Sequence, residues 1–161
     1  MPLKFLSAMP IDPLRTNSFI DSCAFDPKYH PEDQAAEELL NLNRRDNPFL
    51  IIAHSTEKEI DHPRTPSTVK AEARGMIRSV NVQLTPPEQQ RLHQIEQVLA
   101  GNGEIENIRQ DARHIFECQK YGSYFITTDE RILKRKNALL QLCGVSILKT
   151  SEFLPMVKGR A

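Results

Sequence analysis

The chain has 161 residues, 21 basic and 21 acidic side chains, and 39% apolar residues. A chain of this length can bury enough apolar surface to fold without disulfides or a structural metal, so we expect one domain over 1–161, with its core at about 16–157. The zero net charge excludes polyanion binding driven by overall charge alone, and the apolar runs are too short for a membrane span. We therefore expect no membrane partner.

Short apolar runs alternate with segments of helical periodicity along the chain. Strands are predicted at 19–20, 49–53, 124–126 and 145–148, and a weaker fifth at 80–84 fits an extended link equally well. Helices are predicted from Pro31 to about 44, over 56–77 with proline breaks, and over 86–99, 111–120 and 129–142. This alternation indicates a three-layer α/β/α domain with a central parallel sheet of four or five strands. Leu92, Ile95 and Leu99 on the 86–99 helix are expected in the core, with a homodimer face as the alternative.

The cysteines and the N-terminal residues bear on the cellular compartment. Cys23, Cys118 and Cys143 are far apart, odd in number and flanked by apolar residues, as expected of reduced core thiols. The first fifteen residues, MPLKFLSAMPIDPLR, are a poor signal sequence. Both features favour a cytoplasmic protein.

Basic residues are concentrated near the end of the chain. Residues 131–161 hold seven Lys or Arg against the single acid Glu152. Four of them, Arg131, Lys134, Arg135 and Lys136, follow one another closely. This run fits a solvated helix face and a phosphate-contacting edge equally well.

Four acids stand where the predicted fold would gather them at one edge of the sheet. Asp21 follows the first strand and Asp129 follows the strand at 124–126. Glu59 stands three residues after Thr56, the spacing of a capping box, and so lies in the first turn of a helix after the second strand. Asp111 begins the helix that leads into the strand before Asp129. In an open parallel sheet, ligands bind at the carboxyl ends of the strands.

Each acid has a structural explanation as a helix cap or a favourable charge at a helix start. Together they favour another interpretation, because several carboxylates in one partly buried cleft repel one another unless a cation binds between them. Hard oxygen ligands match Mg²⁺ or Mn²⁺. The pattern therefore indicates a divalent-metal site.

The order of these acids and their neighbouring residues resembles the PIN-domain family of metal-dependent ribonucleases, which includes the toxins of many bacterial toxin–antitoxin pairs. The matching stretches are FIDSCAF, IIAHSTEKEI, RQDARHIFECQKYG, YFITTDERIL and GVSILKTSEFL, which together extend over nearly the whole chain. The strand ending in Thr-Thr-Asp and the helix-Gly-strand spacing before it are the more specific parts.

The resemblance implies a metal-dependent endoribonuclease that hydrolyses RNA phosphodiester bonds, with an antitoxin protein as a further partner. It implies an acidic cluster of Asp21, Glu59, Asp111 and Asp129, with Thr127 as a polar contact to a phosphate or a metal-bound water. The expected substrate is single-stranded RNA or a tRNA loop. The basic residues that would contact its flanking phosphates are Arg131, Lys134, Arg135 and Lys136.

This chain departs from the family's pattern in the residues beside two of these acids. The family often has an amide two residues after the first acid, where this chain has Cys23. Glu57 competes with Glu59, because a small shift of the helix start would exchange them. Asp26 is a spare acid nearby without an assigned role. His114, three residues after Asp111, is interpreted as a packing or solvated histidine rather than as a catalytic base.

Two other functions remain open. The same scaffold could bind RNA or a protein partner without cleaving it. A phosphoaspartate phosphatase or receiver domain also has an acid after its first strand, but it needs a second acid beside it and a lysine after a later strand. Asp26 and Lys149 are poor matches for those two positions.

Overall fold

The structure is a computed structural model, which describes residues 11–25, 27–45, 49–56, 60, 63, 66–77 and 83–159. Its sheet contains four strands in these ranges: β1 (Ser18–Ile20), β2 (Leu50–Ile51), β3 (Tyr124–Ile126) and β4 (Ser146–Leu148). They lie in the order β2-β1-β3-β4, and every pair is parallel. The four predicted strands and their parallel arrangement are confirmed. Most of the weaker strand predicted at 80–84 lies outside the described residues.

Helices connect these strands. The eight helices in the described ranges are α1 (Ser22–Phe25), α2 (Glu32–Arg45), α3 (Ser67–Gly75), α4 (Pro86–Ala100), α5 (Arg109–Tyr121), α6 (Glu130–Leu133), α7 (Lys136–Cys143) and α8 (Thr150–Lys158). Short 3-10 turns lie at His54–Thr56 and Ile105–Asn107.

The helix predicted over 129–142 is wrong in one respect, since it is divided into α6 and α7. At the break, the amide of Arg135 donates to the carbonyl of Ile132, three residues back, at 2.9 Å. Lys134 keeps helical backbone angles and donates its amide to the carbonyl of Glu130 at 3.0 Å. Arg135, with φ −102° and ψ 8°, leaves the helical region, so the helix is interrupted at this residue.

Alternating strand residues build a core on each face of the sheet. Ile20 and Ile126 face one core, which includes Phe153 of α8, and their neighbours Phe19 and Phe125 face the other. Successive side chains of a strand point to opposite faces, so two buried faces require helices on both sides. The three-layer α/β/α architecture predicted from the sequence is therefore observed.

The helical face of α4 belongs to the second core. Ile95 and Leu99 are buried there, and Leu92 is partly buried against the same cluster. The expectation that these residues are core is confirmed. Within the described ranges, no helix combines the length and apolar character needed to span a membrane.

Gly122 joins α5 to β3 at the amino edge of the sheet. A side chain at this position would collide with the carbonyl oxygen of Asn17 and the ring of Phe19. The next residue, Ser123, donates its amide to the same Asn17 carbonyl at 3.1 Å. The absence of a side chain thus lets α5 turn tightly into β3, which places the start of α5 at the opposite, carboxyl edge.

Candidate functional site at the carboxyl edge of the sheet

Asp21 continues the hydrogen-bond ladder beyond the end of β1. Its amide donates to the carbonyl of Ile126 at 2.8 Å. Ile20 pairs with Ile126 in the parallel register, so the next residue on each strand, Asp21 and Thr127, lie side by side. The side chain of Asp21 is buried, with 5% of the residue exposed. The strand pairing itself therefore delivers this carboxylate to the carboxyl edge.

Three donors orient the Asp21 carboxylate. The amide of Ser22 donates to its Oδ1 at 2.9 Å, and the hydroxyl of Thr127 donates to its Oδ2 at 2.9 Å. The thiol of Cys23 donates to the same Oδ2 at 3.3 Å. Bonds from both sides leave this carboxylate with little rotational freedom, which suits a metal ligand that must be held in place.

Thr127 links two acids of the site. It is fully buried, and besides donating to Asp21 its hydroxyl accepts a bond from the amide of Asp129 at 3.0 Å. A hydroxyl used in this way holds two acids of the site relative to each other. The contact with a phosphate or a metal-bound water that the resemblance implies for Thr127 stays a prediction.

Cys23 belongs to the site and not to the core, which corrects the prediction for this cysteine. The residue is exposed, and its sulfur lies 3.3 Å from both Asp21 Oδ2 and the Thr127 hydroxyl. Burial of the thiol group and the charge of Asp21 raise its pKa to about 11, so the thiol stays protonated at neutral pH. Its position is the one where the PIN-domain resemblance expects an amide, and the thiol supplies a hydrogen-bond donor there.

Asp129 is the N-cap of α6, as the simpler interpretation of its position predicted. Its Oδ1 accepts a bond from the amide of Arg131 at 2.9 Å, and its Oδ2 accepts one from the Arg131 guanidinium at 2.9 Å. Burial acts to raise the pKa of Asp129, but the bonds and the charge of Arg131 outweigh it and lower the pKa. Asp129 thus remains ionised while it caps the helix.

Asp111 lies in the first turn of α5, close to the other acids. Its Oδ2 is 3.4 Å from the same guanidinium group of Arg131 that binds Asp129. Burial, followed by the charges of Asp21 and Asp129, raises the pKa of Asp111 to about 6 against the opposing effects of His114 and Arg131. The strand ends and this helix start therefore bring Asp21, Asp111 and Asp129 within electrostatic reach of one another.

His114 also faces this cluster. It is 1% exposed, and its Nδ1 lies 3.7 Å from Asp21 Oδ1. It stands one turn after Asp111 on α5, so the two residues share a helical face. The interpretation as a packing histidine is correct for its burial, but it missed the contact with Asp21. The spacing from Asp111 was the signal available in the sequence.

Glu59, the acid predicted to follow the second strand, lies outside the described residues, as do its competitor Glu57 and the spare acid Asp26. The segment just before Glu57 and Glu59 is held firmly. Glu117 of α5 is 2% exposed and accepts bonds from the amide of Ser55, at 3.2 Å, and from its hydroxyl. Gln110, on the same face of α5, donates to the Ser55 carbonyl. This tie fixes the chain after β2 against the helix that carries Asp111, and sequence reasoning did not find it.

The four residues predicted to contact phosphates differ in exposure and in the groups they contact. Lys134 and Lys136 are exposed, whereas Arg135 is half-buried and lies over Gly101. Arg131 is exposed over 58% of its side chain, but its guanidinium group contacts the acids. Arg131 thus belongs to the acidic cluster in this structure.

The donor chemistry of the cluster fits a hard divalent cation. Three carboxylates converge, and the charges of Asp21 and Asp129 add to burial in raising the pKa of Asp111, so a cation bound among them would relieve this repulsion. Among the residues that the structure describes, however, no three His, Cys, Asp or Glu side chains are already arranged to hold a metal ion. A bound ion would therefore require some adjustment of these side chains.

Comparison of the chain with protein-family models, with curated proteins and with solved structures gave no match, so the resemblance to PIN-domain ribonucleases stays a prediction from the sequence.

Proposed function

We propose that this protein is a Mg²⁺- or Mn²⁺-dependent endoribonuclease of the PIN-domain type. The observation that carries the proposal is the convergence of Asp21, Asp111 and Asp129 from three separate chain segments at the carboxyl edge of the sheet. Caps and dipole effects explain each acid singly, but they do not explain why burial and mutual repulsion are tolerated at one place.

When bound, the divalent ion would polarise the scissile phosphate and lower the pKa of a bound water. Asp21 would be its most rigid ligand, because Ser22, Cys23 and Thr127 fix the carboxylate. Asp129 would serve as a second ligand, held by the amide at the start of α6. Asp111 would be a third ligand, from α5, and His114, whose Nδ1 lies 3.7 Å from Asp21 Oδ1, would help to hold that carboxylate. Glu59, which lies outside the described residues, stays the fourth predicted ligand.

The wider biological assignment rests on the resemblance. A toxin of a toxin–antitoxin pair would have an antitoxin protein as its partner and would act on single-stranded RNA or a tRNA loop. The exposed Lys134 and Lys136 are available to contact RNA phosphates. The free thiols of Cys23, Cys118 and Cys143 agree with a reducing cytoplasm.

The proposal is tested by incubating the purified protein with a 5′-labelled single-stranded RNA, and separately with bulk tRNA, in Mn²⁺, Mg²⁺ or EDTA. We expect cleavage that requires the ion and falls by about 100-fold or more in Asp21→Asn, since loss of a metal ligand removes the charge stabilisation it supports. Asp33→Asn, at an exposed position on α2, is the matched control and should retain full activity. Cleavage that persists in EDTA or in Asp21→Asn would contradict the proposal.

A non-catalytic module that binds RNA or a protein partner is the second candidate. One observation favours it: the part of the chain that the structure describes lacks a preformed metal-holding group. An RNA-binding module of this kind would leave the labelled RNA intact under every metal condition of the cleavage experiment. In a gel-shift assay it would still bind that RNA.

A further inference from the structure

Arg131 occupies the position in the acidic cluster where a cation is needed. One guanidinium nitrogen lies 2.9 Å from Asp129 Oδ2 and 3.4 Å from Asp111 Oδ2, and its Nε lies 3.3 Å from Asp129 Oδ1. One side chain therefore bridges two carboxylates that come from different helices. These two carboxylates are among the proposed ligands of the divalent ion.

The exposure of the three side chains differs. Arg131 is 58% exposed, whereas Asp111 and Asp129 are 16% and 20% exposed. The guanidinium group thus reaches into the cluster from the solvent side and can leave without disturbing the core. Ion pairs of such an exposed arginine are weak, because water and salt screen them.

A divalent ion and this guanidinium group compete for the same two carboxylates. Mg²⁺ needs ligands at about 2.0–2.1 Å in a nearly octahedral arrangement, and Mn²⁺ prefers similar oxygen ligands. An arginine that donates hydrogen bonds to those oxygens takes up part of their lone-pair capacity and places a positive charge beside the ion. Arg131 in this position should therefore oppose binding of the ion.

From this geometry, and given the proposed metal-dependent function on which it rests, we infer that Arg131 is an internal competitor of the divalent ion. It neutralises Asp111 and Asp129 when the ion is absent and thereby weakens ion binding. Arg131 is then a determinant of metal affinity, a role distinct from the phosphate contact that the sequence predicted for it.

The opposite role would give the opposite result. If Arg131 oriented the carboxylates for the ion, its removal would weaken binding. Loss of any nearby positive charge would also strengthen binding slightly by long-range attraction. Lys134→Gln removes the same charge from an exposed position three residues further on, so it measures that general contribution.

The test is a titration of the full chain with Mn²⁺, in which free Mn²⁺ is measured by its electron paramagnetic resonance signal. Arg131→Gln should bind Mn²⁺ about 3- to 10-fold more tightly than Lys134→Gln, as expected for loss of one or two weak ion pairs. Arg131→Lys, which keeps the charge but loses the planar fork, should lie between the wild type and Arg131→Gln. Thermal melting without metal checks that each variant is folded.

The outcomes separate this inference from the proposed function. Mn²⁺ binding that is lost in Asp21→Asn but is equal in Arg131→Gln and Lys134→Gln would overturn the competitor role and leave the proposed function in place. Weaker binding by Arg131→Gln would do the same. No Mn²⁺ binding by the wild type or by any variant would overturn both.

Discussion

Two kinds of surroundings hold buried carboxylates in this protein, and they differ in how many acids share the available donors. Glu117 and Glu32 are each 2% exposed, and each accepts bonds from both the amide and the hydroxyl of one serine, Ser55 and Ser151 respectively. At the carboxyl edge, by contrast, Asp111 and Asp129 share one guanidinium group, that of Arg131, with Asp21 close by.

This difference distinguishes acids that link two segments of the chain from acids that lie together in the candidate site. A single carboxylate with two local donors is satisfied by the fold, so removing it should cost stability. Carboxylates that lie close together in a partly buried place repel one another, which lowers stability, and such groups are a feature of functional sites. Removal of Glu117 and removal of the charge of Asp111 should therefore change the free energy of unfolding in opposite directions.

The largest effect is expected for Glu117→Ala. The amide and hydroxyl of Ser55 would lose their charged acceptor, and the chain after β2 would lose a tie to α5. We expect a loss of about 2–3 kcal/mol in the free energy of unfolding, as for hydrogen bonds to a buried charged group. Urea denaturation measures it. Glu106→Ala, at an exposed position in the same part of the chain, should change it by less than about 0.5 kcal/mol. A loss as small as this for Glu117→Ala would mean that Glu117 does not stabilise the fold as a structural tie.

The next effect, for Asp111→Asn, should have the opposite sign. The folded pKa of Asp111, about 6, is above its ordinary value of 3.8, so its ionised form destabilises the folded state. After allowance for solvent screening of this partly exposed group, removing the charge should stabilise the protein by about 1 kcal/mol at pH 7.5 without divalent ions. Chemical denaturation at that pH measures this change. A destabilised Asp111→Asn would contradict the conclusion that the ionised form of Asp111 lowers the stability of the folded state.

The pH dependence sharpens this test. Between about pH 4 and pH 6 the folded state holds a proton on Asp111 that the unfolded state has lost, so this group makes stability fall as pH rises through that window. The advantage of Asp111→Asn over the wild type should accordingly be near zero below pH 4 and reach its full size above pH 6. Added Mn²⁺ should stabilise the wild type more than the variant.

The smallest effect is expected for Asp129→Asn. Asparagine is as good an N-cap as aspartate, so the bond to the Arg131 amide can be kept. Only the exposed ion pair with Arg131 is lost, which should cost less than about 1 kcal/mol. Thermal melting measures this change. A larger loss would mean that Asp129 acts as a structural tie like Glu117.

The sequence was sufficient for the sheet and for the acids that follow its strands. Apolar runs predicted β1 to β4, and the parallel arrangement placed Asp21 and Asp129 at one edge because both follow strand ends directly. Asp111 could be placed there as well, since α5 has to return the chain to the start of β3. These predictions depend only on periodicity and chain direction.

Contacts between distant side chains could not be predicted in the same way. The bond between Ser55 and Glu117 and the contact between His114 and Asp21 depend on how α5 lies across the sheet, which no local pattern specifies. The inward direction of Arg131 and the thiol contact of Cys23 depend on rotamers chosen by their neighbours. Burial of Thr127 likewise depends on its position beside Asp21, just beyond the paired ends of β1 and β3.

The side-by-side placement of Asp21 and Thr127 has a consequence for how this chain tolerates change. The distance between these two residues is set by the parallel pairing of β1 with β3, in which Ile20 lies opposite Ile126. The long connection that separates them along the chain does not affect it. Insertions or deletions within that connection should leave this pair of side chains in place, whereas a slip of one residue between β1 and β3 would turn one of them to the other layer. Variation in the length of this connection is thus compatible with an unchanged placement of Asp21 beside Thr127, and variation in strand register is not.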